Sequence, residues 1–148
     1  MTLLEQIEHD MIEALKAGQK EKLTVLRGLK SDIKYKQIEL GHPMTDDDVR
    51  GVFSTASKKR RDSIEQFRNA GREELAQKEE FELGVILSYL PKQLTEDEIR
   101  KLVVEAIAET GADSPQKMGL VMKALIPKTK GQADGKLLSR IVSELLAK

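Results

Sequence analysis

Phe81-Glu82-Leu83-Gly84-Val85-Ile86-Leu87-Ser88-Tyr89-Leu90-Pro91 is apolar nearly all the way round when wound as a helix. A helix that is apolar on every side is buried on every side, so this segment is expected to end a central helix touched by both halves of the chain. Pro91 closes it, because proline lacks the N–H that another turn would use. Val85, Ile86, Tyr89 and Leu90 are then the side chains expected between the two halves.

Upstream, the same helix carries an apolar stripe through Leu75, Ala76, Leu83, Ile86 and Leu90, interrupted by Glu79 with Glu82 nearby. Gly71 separates it from a third helix that Thr45 caps and Asp46, Asp47 and Asp48 open, carboxylates suited to the positive end of a helix. That helix is striped by Val49, Val52, Phe53, Ala56, Ile64 and Phe67. Before it, periodic apolar residues predict helices over about Leu3 to Ala17, ending at Gly18, and about Glu21 to Leu40, ending at Gly41 and Pro43. Downstream, Thr95 and Glu98 form a capping box for a fifth helix that ends at Gly111. Ser114 and Pro115 open a sixth that Pro127 should stop, and Asp134 caps a seventh. No stretch alternates with period two. The expectation is an all-α protein, a four-helix N-terminal part (residues 1–94) docked on a compact three-helix C-terminal part (95–148).

Composition narrows the function classes. Lys plus Arg equals Asp plus Glu at 25 each, so a nonspecific polyanion-coating protein is excluded and any RNA contact must come from a local patch. Residues 95–148 hold nine basic and eight acidic groups, so neither part is a charged tail. There is no cysteine, which removes disulfides, zinc–thiolate sites and a cysteine nucleophile, and fits a reducing compartment. The N-terminus is acidic and amphipathic, unlike a targeting peptide, and no apolar run approaches the roughly 20 residues of a membrane span. The expected location is cytoplasmic.

Catalytic constellations are sought and not found. His9 and His42 lie on different elements. Ser31 and Lys34, and Ser114 and Lys117, match Ser-x-x-Lys without its companion motifs. Asp46 to Asp48 read as a helix start rather than a cation site. No cofactor, metal or small-molecule substrate is expected.

Two basic stretches remain. Lys58-Lys59-Arg60-Arg61 occupies one helical turn, and at about 100° per residue its members cannot share a face. Lys58, Lys59 and Arg61 fall outside the apolar stripe, where they are either a solvated face or an RNA contact. Arg60 falls within it. Counting outward from Gly71 brings residue 60 opposite roughly residue 81, so Arg60 is expected to pair with Glu79 or Glu82 in a structural role, the rival being an arginine that snorkels to water. The second stretch is Lys128, Lys130, Gly131 and Lys136 around the start of the last helix. It is either an anion site of backbone amides and lysines or a loop solubilised by them, with Asp134 as cap.

Several strings resemble the YqeY family over essentially the whole length. They are Lys22 to Arg27, Lys59 to Phe67, Tyr89-Leu90-Pro91-Lys92-Gln93-Leu94, Met118 to Met122 and Lys130 to Lys136. Residues 95–148 also resemble the tail domain of the GatB subunit of the tRNA-dependent amidotransferase. That tail is associated with holding tRNA, while the amide chemistry lies in other domains. It often has Asn-Pro where this chain has Asp134-Gly135, and Asp adds a negative charge at the helix start. The resemblance implies a non-catalytic, tRNA-associated accessory module whose partner is tRNA or a tRNA-processing assembly. The alternatives are a protein-interaction adaptor without specific RNA binding and, in the enzyme class, an amidotransferase-type carbon–nitrogen ligase using glutamine as amido donor.

Overall fold

The structure is a computed structural model that describes residues 1–147. It is all-α, with no strand among the described residues. The chain separates into two compact units, Met1–Pro91 and Lys92–Lys148.

The first unit contains α1 (Leu3–Lys16), α2 (Lys20–Leu40), α3 (Asp46–Asn69) and α4 (Glu73–Leu87). Its helix starts follow local chemistry. The Thr2 hydroxyl accepts the Glu5 N–H at 3.1 Å, and Thr45 and Asp48 satisfy each other's backbone N–H groups in a capping box. Asp46 does more than favour the helix end, since its Oδ1 accepts the Leu3 N–H at 3.1 Å and so ties the start of α3 to the start of α1. Gly41 ends α2 and Gly71 follows α3, both at positive φ, where a side chain would be strained. Beyond Gly71 the chain doubles back. Arg68 meets Glu73 and Arg60 meets Glu79, pairs centred on the turn, so α3 and α4 form an antiparallel hairpin. The core is aliphatic around Phe53, with Ile7, Leu26, Leu29, Ile33, Val49 and Ile86 almost fully buried.

The segment 81–91 departs from expectation in two ways. Helix α4 stops at Leu87, and Ser88 to Leu90 form a tight turn in which Tyr89 and Leu90 donate to the carbonyls of Ile86 and Leu87. Pro91 disfavours helical backbone in the residue before it, which unwinds the last turn. The segment is also not buried on every side. Phe81 is 43% exposed and Gly84 is exposed, whereas Ile86, Tyr89 and Leu90 are buried and Val85 is partly buried. Within their own unit they join the core cluster, with the Tyr89 and Phe53 ring centroids 5.6 Å apart.

The second unit contains α5 (Glu96–Thr110), a 3₁₀ turn at Pro115–Lys117, α6 (Met118–Thr129) and α7 (Gly135–Leu146). Thr95 and Glu98 form the capping box of α5. Its core is Ile99, Val103, Val121, Leu125, Ile141 and Val142 with their neighbours. Ser114 makes no side-chain cap, and Pro115 starts the 3₁₀ turn rather than the helix itself. Pro127 does not stop α6, which runs two residues further, to Thr129. Proline lacks the N–H that would donate to the carbonyl of Lys123, four residues back, and the helix continues without that bond. Residues 92–94 go with this unit rather than with residues 1–91. The Leu94 N–H donates to Gln132 O at 2.8 Å, and Gln93 Nε2 donates to Gly131 O at 2.7 Å.

Candidate functional site

The loop between α6 and α7 is built from both sides. Thr129 is buried and its hydroxyl donates to Leu125 O at 3.0 Å, which holds the helix end. Gly131 takes a positive φ of 74°, and the Gln132 N–H closes the turn on Thr129 O. Gln93 and Leu94 then clamp the turn through the Gly131 and Gln132 carbonyls. Gly131 therefore enters through its carbonyl, turned inward on Gln93.

The lysines of this loop are placed unequally. Lys128 Nζ lies 3.3 Å from a Glu109 carboxylate on α5, so much of its charge is answered within the unit. Lys130 and Lys136 are both exposed. At the start of α7, Asp134 Oδ1 accepts the Lys136 N–H at 3.4 Å. Its carboxylate sits where an incoming anion would find free amides.

On α3, Lys58 and Lys59 are exposed and Arg61 is half-buried, while Arg60 turns inward. Arg60 Nε lies 3.5 Å from Glu79 Oε2 and 3.7 Å from Glu82 Oε2, with all three side chains a quarter exposed or less. The Arg60 Nε itself is buried and makes no hydrogen bond, so the contact is electrostatic. Two carboxylates face one guanidinium, and the Glu79 carboxyl is held above its ordinary value. Burial is the larger cause, the Glu82 carboxylate adds to it, and Arg60 pulls the other way.

One polar contact had no signal in the sequence. The Tyr89 hydroxyl donates to Asp10 Oδ2, 79 residues away along the chain. Burial and that carboxylate both push the Tyr89 phenol far above its ordinary value of 10.0. Of the catalytic candidates, Lys117 pairs with Asp113 at 2.9 Å and Asp47 with Arg50 at 2.9 Å. His42 Nδ1 lies 2.9 Å from Pro43 O, His9 is exposed, and among the described residues no group of His, Asp and Glu is placed to hold a metal.

Known proteins place the chain. The YqeY family, described as Yqey-like protein, matches residues 4–146. A protein of Pyrenophora tritici-repentis named altered inheritance of mitochondria protein 41, mitochondrial, is 29% identical over 147 residues, covering 97% of this chain and 81% of that one. A protein of the same name from Lachancea thermotolerans is 30% identical over 74% of this chain and 60% of its own. An uncharacterized protein of Schizosaccharomyces pombe is 35% identical over 86 residues, 58% of this chain and 70% of that one. With nearly its whole length matched, this chain belongs to the YqeY family.

Proposed function

We propose that this protein is a non-catalytic accessory module of the cytoplasm that associates with tRNA or a tRNA-processing assembly through the loop between α6 and α7. The observation that carries the reading is the clamped turn. Gln93 and Leu94 hold Gly131 and Gln132 in place, so Lys130 projects from an ordered loop beside the start of α7. Ordering the loop in advance removes entropy that a phosphate contact would otherwise have to overcome. The zero net charge requires such a local contact.

A second reading, a protein-interaction adaptor, is favoured by Glu109 opposite Lys128 and by Asp134 at the α7 start, both of which weaken an anion site. Fluorescence anisotropy with labelled tRNA across a salt series separates the two. Three phosphate contacts would give log affinity a slope of about −2 to −3 against log salt. Replacing Lys128, Lys130 and Lys136 together by Ala should weaken binding with little change in melting temperature. Absence of binding at low salt leaves the adaptor, and unchanged affinity in the triple variant removes the loop from the contact.

A further inference from the structure

The outward face of α2 has no role in anything described so far. Its buried residues are Leu23, Val25, Leu26, Leu29 and Ile33, and the helix continues to Leu40. On the opposite face, Thr24, Gly28, Ser31, Tyr35 and Ile38 follow one another at alternating steps of four and three, the seam of a heptad repeat. All five are exposed, Tyr35 by 73% and Ile38 by 70%, which is high for an aromatic and a β-branched aliphatic side chain only three residues apart.

The flanks of this seam carry opposite charges. On one side stand Lys20, Arg27 and Lys34, spaced by seven. On the other stand Asp32 and Glu39, also spaced by seven. Arg27, Lys34 and Asp32 are exposed, and among the described residues none of the three has an ion-pair partner. Among the described residues Glu39 is met only by Lys36 of its own helix, at 3.3 Å.

From this pattern we infer that α2 is a self-association face, and that its occupant is the α2 of a second copy lying parallel to it across a two-fold axis. In that arrangement Arg27 and Lys34 each face the acid five residues further along the other helix, while Lys20 falls opposite Val25. Arg27 meets Asp32 of the second copy, Lys34 meets its Glu39, and the symmetry repeats both pairs. An antiparallel arrangement sets cation flank against cation flank and is disfavoured. The small residues Thr24, Gly28 and Ser31 let the two backbones approach, and nothing lies within 4 Å of the Cβ position of Gly28. Tyr35 and Ile38 then cover one another at the end of the seam. At Glu21, the next seam position toward the N-terminus, like charges would meet, which limits the contact to residues 24–38. That is about 21 Å of helix, short beside interfaces burying about 800 Å² per partner, so the dimer is reversible and concentration-dependent.

Sedimentation equilibrium tests this from about 10 µM to about 1 mM. The mass should rise from one chain of 16.6 kDa toward two. Arg27→Glu with Lys34→Glu makes both flanks acidic, and Asp32→Lys with Glu39→Lys makes both basic. Each variant alone should associate at least roughly tenfold more weakly. An equimolar mixture of the two should associate again, because every facing pair is then opposite in charge. Unchanged helical circular dichroism confirms that each variant is folded. A wild type that stays at one chain up to the highest concentration overturns the inference and leaves the face to a foreign acidic helix or to RNA. So does a charge-reversed variant that self-associates like the wild type, or a mixture that fails to associate where the wild type does.

Discussion

Arg60 of α3 and Glu79 of α4 face each other across the helix hairpin, with 3.5 Å between Nε and Oε2, and Glu82 stands at 3.7 Å from the same nitrogen. The guanidinium lies in the apolar stripe of α3, between Ala56 and Ile64, where it neutralises one of two carboxylates.

Replacing Arg60 with Met should therefore destabilise the protein by more than its lost packing, because it strands Glu79 and Glu82 together at 21% and 19% exposure. The expected loss is about 1–3 kcal/mol, below the range for fully buried pairs because these groups keep some water. Adding Glu79→Gln and Glu82→Gln to the same chain should recover part of it. Urea denaturation of the wild type, Arg60→Met and the triple variant measures the difference. Equal losses for Arg60→Met alone and for the triple variant would show that the carboxylates do not feel the arginine.

The pair of carboxylates also gives a pH dependence of definite sign. Burial and Glu82 raise the Glu79 carboxyl above 4.5, so the folded chain holds that proton more tightly than the unfolded chain. The stabilisation is fully present below the unfolded value and is lost as pH rises through the folded one. Relative to Glu79→Gln, which is uncharged at every pH and leaves Glu82 to Arg60, the wild type should lose stability as pH rises above 4.5. Denaturation midpoints of both proteins across that range provide the check, and a constant difference between them would contradict it.

Tyr89 and Asp10 form the link between the end of α4 and α1. Tyr89→Phe keeps the ring against Phe53 and removes only the hydroxyl, so a charged acceptor loses its donor. A loss of about 1.5–3 kcal/mol is expected. The Tyr89 phenol should also stay un-ionised well above 10.0, which the tyrosinate absorbance of wild type and variant reads directly. A Tyr89→Phe protein as stable as wild type would mean that the hydroxyl is not held.

The caps and stripes were legible because each depends on residues within one or two turns. The Thr45 and Thr95 capping boxes need only the chain three residues on, and the apolar spacing around Phe53, Val103 and Ile141 is set by helix geometry. Arg60 was readable as an interruption of such a stripe, though not the unbonded geometry of its Nε. The sequence alone thus determined that the chain is helical, where most helices start and which face of each goes inward. Tertiary structure decided what those faces meet. The end of α4 depends on Pro91 together with a hydrogen bond to Asp10, the residues after Pro91 on carbonyls at Gly131 and Gln132, and the charge of Lys128 on Glu109 from another helix. Each of these joins parts of the chain 19 to 79 residues apart. No local pattern specifies such pairs, because which groups come within hydrogen-bonding distance is settled only when the helices pack.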